Sequence, residues 1–408
     1  VRALLDTAPV RRLARISQLG LVALVYPGAT HTRLEHSLGV YRLALEFLRR
    51  LRRDERFDHA VSPDDAAAFV AAALLHDAGH WAYCHPLEDM GLPELPRHES
   101  LLPAILGQGE IAVVLQSAWG LDPARVAGLV AGTATDPAGR ILQSLLSGPI
   151  DVDKMDYLAR DSLHAGVPYG RHFDQDRLLA SLCLDEAGTA VAISDKGRTA
   201  AELMVFARYV MFSEVYWHHA VRAATAMLQR AVWLVRPAIE PPTLVRTDDR
   251  GFADWLTAAA TGTAAEPLVA GLFGPVRRLL KRAGSFDAAH APDVHAALAG
   301  RSYAEMVDVS ARLAASLSQR LGRPIAAAGL IVDAPPAERE VEFRLQVCDR
   351  DGGRWQNLAA VSPVVRSLAH EQFDDLVKRV RVFAAPDDAK AIAGCGELDR
   401  LLLEASGA

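Results

Sequence analysis

Apolar residues recur at three- and four-residue spacing along most of this chain, the pattern of helices with one buried face. The clearest helix opens at Ser62-Pro63-Asp64-Asp65, which supplies an N-cap, a proline for the first helical position and an acidic first turn. An unbroken apolar run over residues 66–75 follows, and Gly79 marks the expected end. His76 and Asp77 then fall where the chain leaves the core. The pattern changes after about residue 320. Val341, Phe343, Leu345 and Val347 alternate with Glu342, Arg344 and Gln346, which predicts a half-buried strand. Asp351-Gly352-Gly353 reads as a turn, a helix is expected over 362–376, and Val380 and Val382 alternate with arginines in a last strand. Residues 240–300 read as helices with variable loops. The fold class expected is therefore mainly α: a helical domain over 1–300 and a small C-terminal α+β lobe over 301–408.

Composition changes this picture little. Half of the 408 residues are apolar, enough for a large core and against a disordered chain. The net charge of −6 favours neither a nucleic-acid binder nor a membrane-surface protein, although the arginine-rich stretches 49–53 and 277–282 leave a local basic face open. Cys84, Cys183, Cys348 and Cys395 form no CxxC pair and are expected to be reduced thiols of a cytoplasmic protein. The longest apolar run is too short to span a bilayer. Neither GxGxxG nor GxxxxGK[ST] occurs, so no common phosphate-binding loop is offered.

The chemistry gathers around histidines. His31, His36, His76, His80, His85 and His98 all lie in the first quarter of the chain. The adjacent pair His76-Asp77, at the mouth of a buried helix, can give one imidazole nitrogen and one hard oxygen to a single ion, a mixture suited to Mn, Fe, Zn, Ni or Mg. Asp153 belongs to an acidic segment flanked by apolar residues. Asp153, Tyr157 and Asp161 are spaced by four and share one helical stripe, a poor core face but a good wall for a metal and a sugar. Asp151 and Asp156 read equally well as a solvated face. Arg208, Phe212 and Tyr216 share another stripe, which an amphipathic helix with a snorkelling arginine explains as well as a binding site does.

In order, His36, His76-Asp77 and Asp153 resemble the H…HD…D signature of the HD superfamily of metal-dependent phosphohydrolases. The longer blocks Arg33-Leu34-Glu35-His36-Ser37-Leu38-Gly39-Val40, His76-Asp77-Ala78-Gly79-His80 and 151–161 resemble the sterile-alpha-motif-and-HD-domain dNTP triphosphohydrolases and their bacterial relatives, over roughly residues 4–235. The resemblance implies His36, His76, Asp77 and Asp153 as metal ligands and a divalent transition metal, with Mg as a possible companion. It implies His85 as general acid oriented by Glu88, with His80 and His98 lining the phosphate channel. Arg33, Lys154 and Arg208 match phosphate-binding positions, Tyr157 and Asp161 the sugar 3′-hydroxyl site, Tyr216 the deoxyribose, and Gln18 and Leu19 the sugar and base. It further implies a dNTP substrate and a homo-oligomer. Asp6 fits an activator segment of that family, whereas Arg11, Ala14 and His219 depart from it. Rival readings are another HD phosphohydrolase, such as a phosphodiesterase or nucleotide phosphatase, or an HD protein that binds nucleotide or nucleic acid with little turnover.

Overall fold

The computed structural model describes residues 1–336, 344–349, 353–368 and 376–407. The helices that position the site are, in chain order, α1 (Arg33–Leu51), α2 (Pro63–Leu75), α3 (Cys84–Glu88), α4 (His98–Gly107), α5 (Pro123–Val130), α6 (Pro137–Ser147), α7 (Val152–Ala165), α8 (Arg198–Met211), α9 (His219–Val235) and α10 (Tyr303–Leu321). Helix α2 is apolar on nearly every side and lies in the core, with Phe69, Leu74 and Leu75 fully buried. Its start is the expected capping box: the Ser62 hydroxyl accepts from the Asp65 N–H, and the Asp65 carboxylate accepts from the Ser62 N–H. The helix ends at Leu75, so His76 and Asp77 stand just beyond it. Gly79 has another role. A β-carbon there would lie 2.4 Å from the His98 carbonyl oxygen, so only glycine lets these two turns meet.

Helices α1, α2 and α7 pack side by side around the largest core. Gly39 on α1 allows the closest approach to α7: a β-carbon there would fall 1.9 Å from Asp156 Oδ1. A second core surrounds α9 and includes Trp81, Cys84 and Leu87, which fix the turn after Asp77. A third lies under α10 in the C-terminal lobe.

Strands β1 (Leu182–Leu184), β2 (Val191–Ser194), β3 (Lys281–Phe286), β4 (Ile331–Asp333), β5 (Gln346–Cys348), β6 (Trp355–Asn357) and β7 (Val380–Ala384) form two small sheets, ordered β1-β2-β5-β6 and β3-β7-β4. β2 runs parallel to β5, with Ile193 opposite Val347, and the other pairs are antiparallel. The fold is mainly α with a small α+β C-terminal part. Strand pairing crosses residue 300 in both directions: β3 joins β7 of the lobe, and β5 extends the sheet of β2. Lys281–Phe286 is a strand inside a region read as helix and loop. The stretch carries a glycine and adjacent cations in place of alternation, and it is held by its neighbour β7. β7 is not half-buried. As the middle strand of three it is covered on both faces, and Arg381 is buried with it, donating to the Trp217 carbonyl at 3.0 Å. The expected helix after Ser362 is seen over Pro363–Ser367, capped by the Ser362 hydroxyl. Val341, Phe343, Asp351 and Gly352 lie outside the described residues, as does most of that helix's second half.

Candidate metal and phosphate site

Three chain segments bring His36, His76 and Asp153 together. His36 sits in the first turn of α1, which the Thr32 hydroxyl caps by accepting from the Glu35 N–H. His76 and Asp77 follow α2, and Asp153 occupies the first turn of α7, capped by Asp151. His36 Nε2 lies 3.2 Å from His76 Nε2 and 3.0 Å from Asp153 Oδ1, and the three donor atoms are all within 4.8 Å of one another. Asp77 closes the group, with Oδ1 3.3 Å from His76 Nε2 and Oδ2 receiving Arg33 Nη1 at 2.9 Å.

Hydrogen bonding on the far side of each ring tests whether this set fits a cation. His76 Nδ1 is 2.9 Å from the Ala73 carbonyl oxygen, which can only accept, so Nδ1 carries the proton. His36 Nδ1 is 2.9 Å from Asp156 Oδ2 and donates there. In the neutral rings both Nε2 lone pairs therefore point at the same space, beside two carboxylates. Such a cluster of acceptors is stable only around positive charge, and carboxylate- or carbonyl-backed imidazoles are the usual form of metal-bearing histidines. The electrostatics agree. Burial favours neutral His36, yet its bonds to Asp153 and Asp156 push it up to about 10. Asp153 is pushed up by desolvation and, on balance, held below the usual carboxylate range by His36 and His76. Asp77 shows the same opposition, burial against His80, His76 and Arg33, and ends well below its ordinary value. The donor set of two nitrogens and two carboxylates fits a divalent transition ion.

Asp156 belongs to this machinery although its sequence position read equally well as solvated face. It is buried, and it also receives Arg160 Nε and Nη2 at 2.8 Å each. Replacing Asp156 with alanine is expected to lower metal affinity about 10–100-fold in the folded fraction, measured by chelator competition. Unchanged affinity would show that Asp156 does not hold His36 in place.

A cavity of about 640 Å³ opens over these groups. Gln18, Arg33, Tyr157, His80, His85 and His98 line it, along with the four proposed ligands. Its far wall, from Val130–Gly132 and Leu146–Ser147 at the ends of α5 and α6, is apolar or small and carried no chemical signal in the sequence. The histidines form their own cluster. His80 Nε2 is 3.1 Å from His85 Nε2, and the His80 and His98 rings are 3.8 Å apart. Glu88 accepts from the His98 backbone N–H at 2.6 Å and from His98 Nδ1 at 3.0 Å, with His85 Nδ1 3.7 Å away. The carboxylate therefore grips His98 more closely than the histidine it was expected to orient. Arg12 Nη2 donates to the His80 carbonyl at 2.7 Å and ties the N-terminal segment to this turn.

Other expected residues stand behind the wall. Lys154 does not line the cavity: its Nζ donates to Asp151 Oδ2 at 2.6 Å and to the Gly148 carbonyl at 3.2 Å. Asp161 is buried between His31 Nε2 at 2.8 Å and the Tyr216 hydroxyl, which donates to it at 2.6 Å. Tyr216 ends a π-turn, Phe212–Tyr216, that follows α8, a feature frequent at functional sites. Its ring meets that of Tyr157 edge-on at 6.4 Å. Arg208, in the last turn of α8, lies 5.5 Å from the Phe212 ring, and Leu19 packs on the core. The arginine-rich stretches lie elsewhere: Arg49, Arg50 and Arg53 line a separate groove with Arg42, and Arg277 and Arg282 line another with His219. No single helix among the described residues is long and apolar enough to cross a membrane.

Comparison with known proteins supplies the family. The HD-domain profile matches residues 33–130, and the profile of the HD-associated region matches residues 173–404, more than half of the chain. This chain belongs to the HD superfamily. The HD protein is 37% identical over 229 residues to YwfO, an uncharacterized protein of Bacillus subtilis, covering 56% of this chain and 50% of that one. It is 30% identical over 263 residues to the deoxynucleoside triphosphate triphosphohydrolase SAMHD1 of Gallus gallus, covering 56% of this chain and 42% of that one. The chain thus spans about half the length of the curated relatives it matches. A hypothetical protein from Aquifex aeolicus shares the fold over 96% of this chain and 94% of its own, with a TM-score of 0.71 at 24% identity. A phosphohydrolase from Bacteroides thetaiotaomicron does so over 94% and 95%, with a TM-score of 0.68 at 22% identity.

Proposed function

We propose that this HD phosphohydrolase is a metal-dependent dNTP triphosphohydrolase, converting dNTP and water to a deoxynucleoside and triphosphate. One observation carries the reading: a cation-grade donor set, an arginine and a cluster of imidazoles face one cavity, with a tyrosine on its wall. The name of its SAMHD1 relatives supports the substrate class.

A divalent ion held by His36, His76, Asp77 and Asp153 would supply water activation and charge neutralisation. The chain's own groups do the rest. Arg33, already paired with Asp77, offers remaining N–H groups to phosphate oxygens. Arg208, behind the wall, adds positive charge near Tyr157. Water attacks the α-phosphorus, the bond to O5′ breaks, and His85 gives its proton to the departing oxygen, a contribution typically worth about 10²–10⁴-fold. Tyr157, backed by the hydrogen-bonded pair Tyr216 and Asp161, closes the sugar end.

Incubation with a dNTP and Mn should release triphosphate and deoxynucleoside. Monophosphate with pyrophosphate would exclude this reaction. Tyr216→Ala removes the ring that backs Tyr157 and leaves Asp161 without one donor. The ratio of dNTP to NTP turnover is expected to fall by about tenfold; an unchanged ratio would take Tyr216 out of sugar selection.

A further inference from the structure

We propose that His80, Cys84, His85 and His98 form a second cation site, softer than the first and suited to zinc, in which the three cavity-lining histidines meet the buried Cys84. Their donor atoms all lie within 4.8 Å of one another. The 3.1 Å between His80 Nε2 and His85 Nε2 is close to the edge of about 3.3 Å that two nitrogens span in a zinc tetrahedron. A carboxylate lies near the other nitrogen of each ring, and at His98 it is hydrogen-bonded there. Glu88 holds His98 Nδ1 at 3.0 Å and lies 3.7 Å from His85 Nδ1, while Asp77 Oδ1 is 3.1 Å from His80 Nδ1. That bond orients His98 as in metal-bearing histidines, and the contact between His80 Nε2 and His85 Nε2 brings those two nitrogens together.

The backbone is shaped around the same residues. Tyr83 is the one non-glycine residue among those described with a left-handed φ, 55°, a conformation costing about 1–3 kcal/mol. It begins α3 and so puts Cys84 and His85 on one turn. The Cys84 sulfur distinguishes the two sites. The first site offers nitrogen and carboxylate oxygen, whereas three imidazoles and a thiolate select softer ions. On binding, the thiol proton leaves to solvent and the sulfur takes its place on the ion. An ion there also occupies His85 Nε2, so zinc should inhibit. That consequence rests on the acid role given to His85 above; the site itself does not.

The test uses the full chain, stripped of metal and reconstituted with cobalt(II) as a spectroscopic substitute for zinc. A thiolate-to-cobalt charge-transfer band in the near ultraviolet is expected in the wild type and in Asp153→Ala, where the first site is disabled. Cys84→Ser should lose the band, and in the Mn-loaded enzyme it should need about tenfold or more zinc for half-inhibition. Absence of the band in both wild type and Asp153→Ala, with helical circular dichroism intact, would overturn the proposal. Should Cys84→Ser not fold, the two cysteine-containing proteins still decide it. Turnover of dNTP without the band sinks the second site alone. The band, together with no dNTP turnover in protein loaded with Mn alone, supports the site and sinks the substrate reading.

Discussion

Asp153→Ala is expected to abolish measurable turnover and to lower affinity for the catalytic ion by more than about 100-fold, beyond the range seen when only a ligand's supporting partner is lost. Asp153 holds its place through the N-terminus of α7, where Asp151 caps the helix and leaves the Asp153 side chain turned to His36. Its removal takes the only α7 carboxylate that meets both ring nitrogens, at 3.0 Å from His36 and 3.9 Å from His76. The fold should survive, because the side chain is a third exposed and lies on the cavity wall. Metal analysis beside a rate measurement checks both parts. Wild-type metal content and rate in this variant would refute the ligand assignment.

Arg33→Ala carries the largest expected cost in stability, about 3–5 kcal/mol, because it leaves the Asp77 carboxylate buried without its arginine. Both side chains are about 5% exposed, and the Nη1–Oδ2 contact is 2.9 Å. Burial pushes Arg33 down, but the adjoining Asp77 charge outweighs it and keeps the guanidinium firmly protonated. Denaturant unfolding of metal-free protein measures the loss. Saturating metal should recover part of it, since the ion restores positive charge beside Asp77. A deficit below about 1 kcal/mol, the range of exposed pairs, would show the pair to be structurally idle.

The sequence made much of this site readable for local reasons. Ser62-Pro63-Asp64-Asp65 announces α2 through backbone chemistry, so the end of that helix, and with it His76 and Asp77, could be placed from residues alone. The four-residue spacing of Asp153, Tyr157 and Asp161 survives because α7 is regular throughout. What could not be read depends on contacts between distant segments. Asp156 differs from an exposed aspartate only because Gly39 on α1 leaves room for it against His36. Lys154 was expected at a phosphate, but Asp151, one turn away and fully buried, claims its ammonium. Asp161 was expected at a sugar and meets His31 and Tyr216 first, with Tyr216 reaching it from the end of the π-turn after α8. The strand Lys281–Phe286 has no alternation to announce it, and only its pairing with β7 makes it one.

Catalysis requires that segments 117 residues apart in sequence, at His36 and Asp153, close on one ion. Crystals grown with Mn and measured at the manganese absorption edge answer this directly. The expected result is an anomalous peak within bonding distance of His36, His76, Asp77 and Asp153. Fully occupied manganese found only elsewhere, with those four side chains ordered and bare, would contradict it.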